Sequence, residues 1–249
     1  MMNAAGSLVL SPEVVASSAG RSPATTADLA YAVGTIDRAI ADRPASDRPL
    51  INYWYYLLFL SWATLGGYPV VLLIRRIRRI DRFSQRRAPY YEAVLDWTDR
   101  YAQQCGRSDA DLHDLLIEAR AEVRAAYAGP LRPINARRSV PLLLCTLGGF
   151  GFVVLYRMNR YWWDAQVTER KFNDRVSRAW AGLGLLQNPI TFQPDRRGRR
   201  GYRAWLLLSI LTLGVWAVVW DHRLHTDPDH RYAEFHSAED AVARVVHSS

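Results

Sequence analysis

Leu206-Leu-Leu-Ser-Ile-Leu-Thr-Leu-Gly-Val-Trp-Ala-Val-Val-Trp220 is an apolar run with a Thr-Leu-Gly string at its centre, and its reading decides how the rest of the chain is understood. The string recurs in Thr64-Leu65-Gly66-Gly67-Tyr68 and Thr146-Leu147-Gly148-Gly149-Phe150. In each copy the glycine (Gly66, Gly148, Gly214) stands two residues before an aromatic: Tyr68, Phe150 or Trp216. Eleven residues after Thr64, Thr146 and Thr212 comes an arginine: Arg75, Arg157 and Arg223. A match that includes the end of the apolar run marks a repeated supersecondary unit larger than the tripeptide.

The copies lie in three apolar stretches, Leu50 to Ile74, Ser139 to Tyr156 and Tyr202 to Trp220, which together hold about a quarter of the 249 residues. Each stretch is a candidate membrane element. As one helix the 25 residues of the first would reach roughly 37 Å, beyond a hydrocarbon core of about 30 Å. Gly66, Gly67 and Pro69 argue against continuity and predict a kinked span or a re-entrant hairpin. Gly148, Gly149 and Gly151 allow a turn in the second. Within the repeat, Thr returns its hydroxyl to a helical carbonyl, Gly permits close backbone approach and the aromatic packs or lies at an interface. Thr64, Gly66, Tyr68, Thr146, Gly148, Phe150, Thr212, Gly214 and Trp216 are therefore read as a membrane-packing motif. None of the threonines has a neighbouring base, so no catalytic residue is assigned.

The net charge is +8, and arginine supplies nearly all the basic groups, Lys171 being the only lysine. Arg75, Arg76, Arg78, Arg79, Arg82, Arg86 and Arg87 follow the first stretch, opposed only by Asp81. With Arg157 and Arg223, this cluster reads as a basic margin facing the cytoplasm and anionic lipid. A solvated helical face and a nucleic-acid patch are the competing readings; no nucleic acid is expected.

On these residues the chain resembles DUF4234, a bacterial membrane-protein family of unknown function with a Thr-x-Gly-aromatic pattern inside an apolar run. Leu206 to Trp220 looks like the closest copy. The family usually carries a Tyr-Trp or similar pair near the segment end, where this chain has Val219-Trp220, Val153-Val154 and Val71-Leu72. The resemblance covers three stretches of 20 to 30 residues and implies a cell-membrane location; it carries no reaction or substrate.

The fold class expected is all-α: an integral membrane protein with three apolar segments, kinked or partly re-entrant, and helical cytoplasmic inserts. Its divisions are a flexible leader (1–24), a short helix and linker (25–49), the first membrane repeat with its basic margin (50–87) and a helical insert (88–138). The second repeat with an aromatic collar (139–166), a basic connector (167–201), the third repeat (202–224) and a tail or short helix (225–249) complete it. Thr25 or Thr26 can cap an early helix in which Leu29, Val33, Ile36 and Ile40 recur at helical spacing. Tyr161, Trp162 and Trp163 suit an interfacial collar. The 157–200 connector holds an excess of six basic over acidic groups; three ordinary spans beginning outside would put it outside, against the positive-inside rule, whereas a re-entrant second segment would keep it inside. Cys105 and Cys145 are isolated and form no metal motif.

Asp221, His222, His225, Asp227, Asp229 and His230 form the one chemically suggestive cluster. His222 and His225 could share a helix face as metal ligands, but the spacing is not HExxH and Pro228 is expected to break the helix. Polar termination is the simpler reading, and no cofactor is expected. The functional expectation is a noncatalytic membrane structural, scaffolding or accessory protein, with a transporter or channel component as alternative and a membrane enzyme third. Membrane lipids, a second copy or another membrane protein are the expected partners.

Overall fold

The protein is described by a computed structural model that covers residues 25–48, 50–60, 67–145, 149–193, 201–212 and 215–249. Every regular element among them is helical. In chain order these are α1 (Thr26–Ala41), α2 (Arg43–Ser46), α3 (Tyr53–Tyr55) running into a π-helical turn (Tyr56–Leu60), α4 (Gly67–Gln104) and α5 (Ala110–Ala128). Then follow α6 (Ala136–Cys145), α7 (Gly149–Gly182), α8 (Tyr202–Leu211) and α9 (Val215–Ser248).

Local chemistry explains the ends. Thr25 opens α1 with a capping box, its hydroxyl taking the Asp28 amide while the Asp28 carboxylate takes the Thr25 amide. Asp109 caps α5 by accepting from the Leu112 amide at 2.8 Å. The preceding turn needs the left-handed backbone of Gly106, at φ +64°. Pro228 does not end the last helix: α9 runs through it for 34 residues and buries it, giving up one amide donor.

The described residues on either side of each repeated string pack against one another. In the third copy Trp205 lies against Trp216, and Tyr202 against Trp220, so α8 folds back along the first turns of α9. Tyr53 and Tyr56 pack on Leu72 in the first copy. In the second, Arg157 reaches back to the Arg132 carbonyl at 2.6 Å. Gly67, Gly149 and Val215, which begin the long helices α4, α7 and α9, all stand three residues after the repeated threonine.

Those three long helices run parallel. Ser84 meets Tyr161 and Thr98 meets Trp180 going up α4 and α7. Arg76 meets Asp221 and Arg87 meets Glu239 going up α4 and α9. Residues equidistant from the repeated threonines are buried alike: Leu72, Val154 and Trp220 near the bottom, and Val94, Val176 and Val242 higher up. The repeat thus extends far past its arginine, into the helical shafts. Two shorter helices run the opposite way. Arg100 pairs with Asp28 and Arg86 with the Ala39 carbonyl, which sets α1 antiparallel to α4. Arg120 with Asp96, and Arg175 with Glu118 and Glu122, do the same for α5 against α4 and α7.

The helical class agrees with expectation; the membrane architecture does not. Among the described residues no helix is long and apolar enough to cross a membrane. The physical reason is the break in each stretch: α6 and α8 have 10 residues each, about 15 Å of helix against a hydrocarbon core of about 30 Å. The long helices beyond the breaks carry too much charge to continue a span. The integral-membrane fold, the multi-pass cell-membrane location and the lipid partners are thereby corrected, as are the membrane structural and transport roles built on them. Tyr161 and Trp162 are also not an interfacial collar: both are buried, Tyr161 bonded to Ser84 and Trp162 packed between Phe83 and Tyr232.

Phe235 is fully buried where Phe83, Phe192 and the Arg87 guanidinium converge. Phe235→Ala should lower unfolding free energy by roughly 3–5 kcal/mol, read as a reduced urea midpoint.

Candidate functional site

Arginine spacing on α4 divides the basic cluster between two faces. Arg76, Arg79, Arg86 and Arg87 recur at helical intervals and turn inward, while Arg75, Arg78 and Arg82 stay exposed. The lipid-facing margin expected from sequence is, on its inward face, a set of core ion pairs.

At the centre, Arg86 and Arg87 converge on Glu239, which is wholly buried. Arg87 also pairs with Glu169, and Tyr91 bridges the two by donating to Glu169 while accepting from Arg87 at 2.9 Å. Arg86 reaches Asp47 at 3.0 Å, and Arg43 closes the cluster on Glu239 at 2.5 Å. Arg86 and Arg87 therefore face Asp47, Glu169 and Glu239, the half-buried Arg43 is shared between Glu239 and the exposed Asp240, and His236 lies 2.7 Å from Asp47, so each buried ion keeps a charged hydrogen-bond partner. Burial pushes the Glu239 carboxyl up, but Arg87, Arg86 and Arg43 outweigh it and hold the group down at about 2. One assembly ties α2 and the residue after it to α4, α7 and α9.

Lower in the bundle, Arg76 pairs with Asp221, and Arg79 with Asp229 and the Tyr232 hydroxyl. The His/Asp cluster is consumed by these contacts. His225 is buried with its Nε2 2.6 Å from the Ile51 carbonyl, and His222 meets the edge of the Tyr53 ring at 4.8 Å. Among the described residues no group of three or more His, Cys, Asp or Glu is arranged to hold a metal ion.

The opposite property concentrates at the common starting end of α4, α7 and α9. There the hairpins expose Leu58 and Phe59, Leu142 and Phe152, and Ile210, Leu211 and Val215, the last three 65–69% accessible. Tyr53 ties the first hairpin to the third through the Val218 carbonyl at 3.1 Å, and Tyr202 ties the third to the second through the Phe152 carbonyl at 3.1 Å. Of the repeat residues, Thr212 is seen in full: its hydroxyl donates to Leu208 at 2.7 Å and accepts from the Trp216 amide at 2.9 Å, joining α8 to α9. Trp216 and Phe150 pack partly inward. Tyr68 lies in the first turn of α4, whereas Thr64, Gly66, Thr146, Gly148 and Gly214 fall outside the described residues. Arg157 is half-buried, and Arg75, Arg78 and Arg223 stand exposed just below the hairpins.

Sequence reading missed Asp47, Glu169 and Glu239. Glu169 and Glu239 had a signal in the repeat itself, since Arg87 and Glu169 are equidistant from Thr64 and Thr146, and Tyr91, Asn173 and Glu239 share the next layer. No family model, curated protein or solved structure matches the chain. The resemblance to DUF4234 therefore rests on convergent apolar strings and is withdrawn.

Glu239→Gln should cost about 3–5 kcal/mol, because it leaves the buried Arg86 and Arg87 with only Asp47 and Glu169 as counter-charges. In the wild type the carboxylate's contribution is fully present above an unfolded pKa of about 4.3 and lost as pH falls toward about 2. Urea midpoints measured across that window should fall, and the part due to Glu239 should be missing from the variant.

Proposed function

We propose that the protein is a docking module whose charge-locked shaft presents three apolar hairpins to a protein partner. The supporting observation is the clustering of large exposed apolar side chains on the hairpins; outside them, Tyr31 and Ile117 are the two comparable cases among the described residues. A contiguous apolar surface of this kind marks an interaction site more often than a bare exterior.

Charge selects the partner's chemistry. Arg75, Arg78, Arg203 and Arg223 are exposed around the hairpins, so the apolar tip has a cationic rim. Two copies meeting tip to tip would oppose like rims, a juxtaposition that costs several kcal/mol. The complementary occupant is a protein element, such as an amphipathic helix, with an apolar face bordered by Asp or Glu.

A photo-crosslinking residue placed at Ile210 or Phe59 in the full chain, in its own cells, should give a discrete protein adduct. The adducted peptide, read by mass spectrometry, should be apolar with acidic margins, and Ile117 should give no such product. Adducts formed only with lipid, or only with a second copy, would refute the reading. Arg223→Glu should reduce the adduct yield at Ile210 without lowering thermal stability.

A further inference from the structure

The base of the first hairpin meets α9 at a buried imidazole. His225 Nε2 lies 2.6 Å from the Ile51 carbonyl, and its Nδ1 lies 3.4 Å from Arg76 Nη2. A carbonyl only accepts and a guanidinium only donates, so one neutral tautomer satisfies both contacts: Nε2–H donates to Ile51, and Nδ1 accepts from Arg76. Tyr53, two residues on, lies edge-on to the same ring at 5.6 Å and donates to Val218. Asn52 caps the short helix α3 between them, accepting from the Trp54 amide at 2.9 Å. The chain from Ile51 to Tyr53 is thus seated on α9 through His225.

We propose that His225 is a proton-operated latch that releases the first apolar hairpin from α9 when the imidazole is protonated. Protonation places an N–H on Nδ1, facing the Arg76 guanidinium, so an accepted hydrogen bond becomes a contact between two cations. The charged and titratable groups around the ring are Arg76 from α4, Tyr53 from the hairpin, and Asp221, His222 and Asp229 from α9 itself. The two carboxylates would favour the imidazolium, but Asp221 is already engaged by Arg76 and Asp229 by Arg79. Burial first and Arg76 second push the His225 imidazole below its ordinary value. The undocked hairpin therefore binds the proton more readily than the docked one. Docking is complete above about pH 6.5 and weakens as pH falls, by up to about tenfold per pH unit, until the docked imidazole itself titrates.

This regulation rests on the docking reading only for its consequence, because the latch can be read without any partner. Hydrogen exchange of the peptide covering residues 50–60, corrected for intrinsic rates, should show increased opening between about pH 7.5 and about pH 5 in the full chain. His225→Gln keeps a donor for Ile51 and an acceptor for Arg76 but does not titrate, so its exchange should be independent of pH. Ring-proton NMR of the wild type should place the onset of opening at the titration of His225, not at that of His222 or His236. A pH-independent wild type, a variant that keeps the pH response, or an onset that follows another histidine would each overturn the latch. Crosslinking from Phe59 at the same two pH values is a separate measurement: a working latch with no protein adduct at either pH would refute the docking surface alone.

Discussion

Arg86 and Arg87, buried with Asp47, Glu169 and Glu239 and closed off by the half-buried Arg43, form the constraint on which the bundle depends. Each of these ions finds its partners only when α2, α4, α7 and α9 are all in place and in register. A shift of one helix by a turn would leave a bare guanidinium in a medium where desolvation costs several kcal/mol per ion. Apolar layers such as Val94, Val176 and Val242 would tolerate such a slip far better, since one β-branched side chain resembles another. Burial of hydrocarbon drives the helices together, and the ions choose their alignment.

That division separates the two ends of the molecule. In the shafts, arginines of α4 face acids of α7 and α9, and α1 and α5 cover the remaining sides. In the hairpins, the polar contacts that remain are mostly to backbone: Tyr53 to Val218, Tyr202 to Phe152, and Thr212 to Leu208 and Trp216. Such contacts position a helix end without covering its outer face. The apolar tip is therefore a product of the same repeat that builds the core, and among the described residues α1 and α5 cover the shafts rather than that end.

What the sequence disclosed follows from range. Capping by Thr25 and the helical spacing after residue 25 are local, and they appear in the structure where local rules put them. The hydroxyl of Thr212 returns to a helical carbonyl as its chemistry suggested. Apolar length, by contrast, was misread, because a run of Leu and Val does not reveal whether Thr-Leu-Gly bends it or breaks it. The arginines were misread for a related reason: Arg76 and Arg87 differ from Arg75 and Arg78 only in the acids they meet more than seventy positions away. Pro228 shows the reverse error, where a strong local rule yields to burial on both sides of the proline.

The layer that contains Arg87, Glu169 and Phe235 bears on how such a molecule could arise. Three equivalent helices around one axis invite descent from a single hairpin-and-shaft unit that once assembled as a homotrimer. The present units no longer permit that assembly. Three copies of the first would enclose three arginines, three of the second three glutamates and three of the third three phenylalanines, and only the mixed set brings opposite charges together. Fusion into one polypeptide thus freed each unit to specialise, and the charge exchange between them has made the fusion irreversible.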